Sequence, residues 1–235
     1  MSNDLETVHR EEEDHWISVS DLMSGLMMVF MLVAVVFMVN VEQERDKIRD
    51  VAILYDTLRT QLYEDIKTEF ADDMSLWGAE LDKDLTFRFN NSEVLFDQGK
   101  AELKPDFKAI LENFFPRYLA IITQEKYRDD ILEVRIEGHT SSGWAGARNA
   151  DDAYIRNMDL SQQRTRSALA YVLELGAVQK EKPWLKTHLT ANGLASAKVV
   201  RNASNIEDPE RSRRVEFKVR TDAEGRIATI LEQVL

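Results

Sequence analysis

Cysteine is absent from the 235 residues. Its absence excludes disulfide staples, zinc–thiolate sites, thiol nucleophiles and a lipidated N-terminal cysteine. Four prolines and nine glycines are too few for a collagen-like or low-complexity chain. The four histidines (His9, His15, His139 and His188) lack the spacing of metal ligands. Positive charge is also scarce. Lys and Arg number 30 against 42 Asp and Glu, a net charge of −12. Phosphate backbones need a basic face, so nucleic acid is not expected as a direct partner. The chain carries neither a phosphate-cradling glycine loop nor a nucleophile–base pairing, so enzyme chemistry, a metal and a cofactor are not expected either.

What is present is one extreme apolar run. Leu22 to Val41 holds no charged residue. At about 1.5 Å per residue a helix of that length spans roughly 30 Å, one hydrocarbon thickness. In lipid the backbone has no partner but itself, so the run must be helical. A cleaved signal peptide needs a basic leader and a small-x-small site. Here the leader is acidic (Glu11, Glu12, Glu13, Asp14) and the run ends in Val39-Asn40-Val41. A buried core helix would be amphipathic, and this run is apolar all round. Its five Met residues fit packing better than a metal path.

Asp21 stands at the start of the run, in Trp16-Ile-Ser-Val-Ser-Asp21-Leu-Met-Ser24-Gly25. A carboxylate inside a span costs about 2.5–3.5 kcal/mol on insertion scales and usually has a function. Ser24 and Gly25, three and four residues on, share its helix face and leave room for a partner. The competing reading makes Ser20 or Asp21 an N-cap of a helix beginning at Leu22. The distribution of Lys and Arg by itself favours a cytoplasmic C-terminal part. The first twenty residues hold only Arg10, whereas residues 42 to 60 hold Arg45, Lys47, Arg49 and Arg59.

Residues 42–80 read as a charged helical linker. Ile48, Tyr55 and Leu62 recur every seven residues, as do Val51 and Leu58. This suits a short dimer stalk or an amphipathic helix lying on its own domain. The period then changes to two. Leu85, Phe87 and Phe89 predict a strand. A helix follows with Pro105 in its first turn and Phe107, Ile110, Leu111 and Phe114 as its stripe, to be kinked or ended by Pro116. Leu132, Val134 and Ile136 predict a second strand, followed by a polar loop over 138–152. A helix from about Leu160 to Leu175 stops at Gly176. Strands near 187–192 and over Val215, Phe217 and Val219 complete a β-α-β-α-β-β order, an α/β class with helices on one sheet face.

Four motifs give these elements a family. Residues 94–106 (VLFDQGKAELKPD) resemble the opening of OmpA-like peptidoglycan-binding domains. Ile136-Glu-Gly138-His139-Thr140 resembles their second strand and binding loop. Asn157-x-x-Leu160-Ser161-x-x-Arg164 resembles the start of their binding helix, and Ser212-Arg213-Arg214-Val215-x-Phe217 their closing strand. A single span with an early acid before such a domain resembles MotB-like stator subunits. The loop Gly138-His-Thr-Ser-Ser-Gly-Trp144 places the nearest resemblance in the ZorB family of Zorya anti-phage defence.

The resemblance implies a single-pass inner-membrane protein with a cytoplasmic tail (1–15), a transmembrane helix (16–41), a periplasmic stalk (42–80), an OmpA-like domain (81–222) and a helical tail (223–235). It implies a homodimer inside a MotA-like, ZorA-like multi-span pentamer, fixed to peptidoglycan, with Asp21 as the ion-carrying group and Ser24 and Gly25 beside the ion path. A passive envelope tether or a flagellar-type stator subunit is the alternative. His139, Thr140, Ser141, Asn157, Leu160, Arg164, Arg213 and Arg214 would bind the wall. In that family a loop Asp and the helix Arg clamp diaminopimelate, the Asp on its ammonium and the Arg on its carboxylate. Arg164 matches. Ser141 stands where the Asp is expected, so either Asp151 or Asp152 substitutes or the binding is altered. Ser212 likewise replaces an Asn. For Arg213 and Arg214 the plain alternative is a solvated strand edge beside Glu210 and Glu216, and for His139 a structural loop hydrogen bond.

Overall fold

The computed structural model describes residues 3–222. The expected tail over 223–235 lies outside the described residues. Two units are distinguished, one containing residues up to Ile53 and one running from Leu54 onward.

Helix α1 (Asn3–Glu69) contains the apolar run. Its segment Val19–Arg49 is long and apolar enough to cross a membrane, with mean hydropathy reaching 2.7. Because α1 begins at Asn3, Asp21 is an interior helical residue, and the N-cap reading is corrected.

The end of α1 belongs to the second unit. Leu62 and Ile66 are buried there with Phe70, and Leu58 packs against the same core. Phe70 meets Phe87 and Phe114 at 5.4 and 5.2 Å between ring centroids. Two of the heptad positions, Leu58 and Leu62, therefore face the chain's own domain, because the aromatic core around Phe70 takes up that apolar face. The side chains of Val51 and Tyr55 lie outside those described.

Then follow α2 (Ala71–Trp77), β1 (Ala79–Leu81), β2 (Thr86–Phe89), α3 (Ser92–Leu95), α4 (Pro105–Ile122) and α5 (Glu125–Arg128). Next come β3 (Ile131–His139), α6 (Ala150–Glu174), a 3₁₀ turn (Gly176–Glu181), α7 (Lys182–His188), β4 (Leu189–Ala195), α8 (Pro209–Ser212) and β5 (Arg214–Thr221). The sheet order is β1-β2-β5-β3-β4. Only the β3–β4 pair is parallel, as a crossover through α6 requires.

β1 was not expected. Gly78, at φ +61°, caps α2 in the left-handed conformation and ends the helical stretch before residue 80. The α4 helix continues through Pro116 to Ile122. The lost backbone hydrogen bond is outweighed by a buried face of Phe107, Leu111, Phe114, Phe115, Tyr118, Leu119, Ile121 and Ile122. In β3 the apolar alternation starts at Ile131, not Leu132, because the register shifts between Ile131 and Glu133 and turns Leu132 outward. Helix α6 starts ten residues earlier than Leu160, capped by Asn149, whose Oδ1 accepts from Asp152 N at 2.8 Å. Thr187 falls at the end of α7, and β4 runs later than predicted.

One face of the sheet is aromatic. Phe87, Phe217 and Ile136 form a cross-strand row in register, and the Phe114 ring on α4 lies 4.6 Å from Phe87 and 5.2 Å from Phe217. Helix α6 comes closer still to β3 and β4. Gly138 and Gly193 are register partners. A Cβ at Gly138 would lie 2.6 Å from Thr165 Cγ2, and one at Gly193 would lie 2.3 Å from Gln162 N. Ser161 completes the seat, its Oγ accepting from Ala195 N at 3.1 Å. Since the Gln162 backbone cannot swing aside, Gly193→Ala is expected to lower stability by about 3 kcal/mol, the upper range of overpacking. Thermal unfolding of the purified chain checks this, and an unchanged midpoint would contradict it.

Candidate functional site

Asp21 lies within the apolar segment, with Ser24 and Gly25 on its face. Ser24 Oγ donates back to Ser20 O at 2.8 Å, so its hydroxyl is satisfied inside the helix. Gly25 leaves bare backbone on that face, the surface a neighbouring helix packs against most closely.

In the second unit a cavity of about 570 Å³ opens between the loop after β3, helix α6, the loop before α4 and the start of β5. Thr140, Ser141, Asn157, Leu160, Arg164 and Arg213 line it together with Phe96, Gln98, Gly99, Gly143, Trp144 and Ala145. Six of the eight residues expected at the wall-binding site thus converge. On α6 the spacing Asn157, Leu160, Arg164 puts one side chain on each successive turn of a single face. The loop is tied to that face, since Asn157 Nδ2 donates to Gly143 O at 3.3 Å. Thr140 N donates to Ala195 O at 2.9 Å, while its Oγ1 is buried without a hydrogen-bond partner.

Arg164 is built in. Its Nε donates to Lys100 O at 2.9 Å and its Nη2 to Asp97 O at 3.1 Å, and the guanidinium lies over the Phe96 ring at 4.7 Å. Burial, and then the charge of Arg213, push its pKa down to about 10. Asp151 and Asp152 do not line the cavity. The Asp152 carboxylate accepts instead from Arg148 N and Arg156 Nε, and its backbone N donates to Asn149 Oδ1. The reading in which either acid substitutes for the missing Asp at Ser141 is therefore corrected: the N-cap geometry of α6 directs Asp152 to its own helix end.

His139 and Arg214 are also not in the cavity. Both are buried, on the opposite side of their strands from the aromatic row, where they are register partners. Glu216 Oε1 accepts from Arg88 Nε and Arg214 Nε, each at 2.7 Å. His139 Nε2 approaches Glu216 Oε2 at 3.3 Å without hydrogen-bond geometry, and neither ring nitrogen has a hydrogen-bond partner. Arg214 Nη1 also donates to Lys198 O and Ser212 O. Arg214 is therefore a structural residue, and the solvated-edge reading fails for it. Burial works to raise the Glu216 pKa, but His139, Arg88 and Arg214 together hold it well below the usual carboxylate range. Glu137, His139 and Glu216 bring metal-ligand atoms together, yet the two guanidiniums already neutralise Glu216.

Sequence reasoning missed Phe96, Gln98, Gly99, Gly143, Trp144 and Ala145. Phe96 and Trp144 stand inside quoted motifs, so the signal was an aromatic next to a binding loop. A low native pKa means that the stability due to Glu216 is present at neutral pH. It is lost as pH falls from the ordinary value of 4.5 toward the lower folded value. Glu216→Gln is expected to cost about 3 kcal/mol at pH 7, because Arg88 and Arg214 lose their shared charge, and to flatten the acid limb of stability between pH 5 and 3. Thermal unfolding against pH checks both; an equally steep acid limb in the variant would contradict the assignment.

Residues 95–213 match the OmpA family. A relative described as Zorya protein ZorB, from Escherichia coli (Crooks strain), is 46% identical over 224 residues, covering 95% of this chain and 94% of that protein. Another Zorya protein ZorB, from Escherichia coli O139:H28, is 24% identical over 216 residues, 88% of this chain and 80% of its own length. A solved MotB-like protein from Desulfovibrio vulgaris, 27% identical, covers 74% of this chain and 96% of its own, with a TM-score of 0.48. By its central residues the chain belongs to the OmpA family, and along nearly its whole length it belongs to the ZorB family of Zorya proteins.

Proposed function

We propose that this chain is the wall-anchored, single-span subunit of an ion-driven inner-membrane complex acting in Zorya-type anti-phage defence. Kinship with ZorB proteins over 95% of the chain carries the reading, and a cavity with two guanidiniums beside an OmpA-type helix face supports it. The role is one of anchoring and ion coupling, not of catalysis on a substrate.

In this reading the N-terminus is cytoplasmic and the residues from Leu54 onward are periplasmic, where peptidoglycan is. The Lys and Arg distribution opposes that orientation. The need for a wall-binding domain to reach the wall outweighs it, because charge bias is only one contribution to topology. One span cannot form a pore, so a multi-span partner is required. Two copies inside a MotA-like pentamer would set two Asp21 carboxylates against partner helices. A proton crossing 100 mV supplies about 2.3 kcal/mol. Protonation removes a charge that costs a similar amount to hold in lipid, so the two states favour different packing against the partner. Alternation between them drives the partner past a subunit that the wall holds still.

Two substitutions separate this from a passive tether. Asp21→Asn keeps size and helicity but cannot take up and release a proton. It is expected to leave the complex assembled, by co-purification of the multi-span partner, and to reduce phage protection to the level of cells lacking the system. Full protection in a plating assay would overturn the ion-carrying role. Arg213→Gln removes a cavity charge that makes no hydrogen bond or ion pair among the described residues. It is expected to weaken co-sedimentation with purified sacculi about tenfold, the equivalent of roughly 1.4 kcal/mol, at an unchanged unfolding midpoint. Undiminished sedimentation would overturn the assignment of this cavity to the wall.

A further inference from the structure

The cavity is charged with one sign. Arg164 and Arg213 both face it, and its lining contains no carboxylate. The acids around it are engaged elsewhere. Asp97 pairs with Lys100 at 3.0 Å, Asp152 with Arg156 at 3.2 Å, and Glu207 accepts from Ser142 N at 2.8 Å and from Ser142 Oγ. Arg164 spends its Nε and one Nη on backbone carbonyls, which leaves Nη1 for a ligand. Arg213 has its whole fork uncommitted among the described residues. Thr140 lines the same space, and its buried hydroxyl has no hydrogen-bond partner among the described residues. Two guanidiniums in one partly enclosed site repel each other, and an anion removes that repulsion while accepting from both. An ammonium entering the site meets neither a carboxylate nor a free charge of opposite sign, and it is repelled by both arginines.

We infer that this cavity selects a carboxylate whose neighbouring amine is absent or acylated, and that Ser141 sets this selectivity by withholding the negative charge an ammonium would need. The inference rests on the wall-anchoring reading and refines it. The preferred wall feature is then a stem-peptide carboxylate beside an amine already consumed in a cross-link, because acylation turns the cationic ammonium into a neutral amide and leaves the carboxylate. A subunit with this preference holds to the cross-linked, force-bearing part of the wall rather than to loose peptide ends.

Pimelate and meso-diaminopimelate test this directly. They share the same two carboxylates on the same carbon chain and differ only in two ammonium groups. Calorimetric titration of the detergent-solubilised full chain is expected to give pimelate an affinity at least equal to that of diaminopimelate. Ser141→Asp is expected to reverse the order, favouring diaminopimelate by about tenfold and weakening pimelate. Sedimentation with purified sacculi runs in parallel. Sedimentation with a tenfold preference of the native chain for diaminopimelate would overturn the selectivity and leave anchoring intact. Pimelate binding without sedimentation would overturn anchoring and leave the cavity's selectivity intact. Failure of both ligands and of sedimentation would overturn both.

Discussion

The closeness of α6 to the sheet is the constraint on which the site depends. Two register-paired glycines, Gly138 and Gly193, remove the side chains that would otherwise hold the helix away. Ser161 then reaches the backbone of Ala195, and Thr140 N bonds the carbonyl of the same residue. Those contacts fix the height of Asn157 and Arg164 above the loop. Asn157 in turn holds the loop at Gly143, and Arg164 holds the segment Asp97–Lys100. The walls of the cavity are therefore all referred to one helix, and the helix is referred to one pair of strands. A helix standing even a methyl group higher would slacken each of these bonds at once.

Charge is handled differently on the two sides of the sheet. Toward the aromatic face the interior excludes it, and the burial of Tyr118 pushes that phenol's pKa up. On the other side the buried Arg214 and the half-buried Arg88 share Glu216, and Arg88 also pairs with Asp82, so charge there is compensated outside the cavity. At the cavity itself compensation stops, and two guanidiniums are left facing space. Uncompensated charge costs stability, and in the proposed function an anionic ligand offsets that cost. In the proposed function Asp21 follows the same logic in lipid, where a lone carboxylate is tolerable if a partner and a mobile cation share the site.

Much of this was legible in the residues. Period-two alternation at Phe87 and Phe89 and at Val215, Phe217 and Val219 located strands, and charge-free residues 22–41 located the span. The spacing Asn157, Leu160, Arg164 put three cavity residues on one face. What failed did so for physical reasons. Pro116 was read by local rules, but a buried face of eight side chains carried α4 past it. Leu58 and Leu62 kept a heptad spacing that also fits a helix lying on its own domain, and periodicity alone does not distinguish the two. His139 and Arg214 stood beside cavity residues in sequence. His139 ends β3 and Arg214 begins β5, whereas Thr140 and Arg213 stand just beyond the strands, where the chain turns into the cavity wall. Gly193 drew no attention because a glycine's close approach is visible only once its neighbour is known.

The central claim is that this cavity, built on the α6 seat, is where the chain grips the wall. The most direct measurement is a structure of the chain bound to a purified cross-linked wall fragment. The account predicts a fragment carboxylate within about 3 Å of the Arg164 and Arg213 guanidiniums, hydrogen-bond range, with Trp144 alongside. A fragment bound anywhere else, with this cavity free of it, would contradict the account.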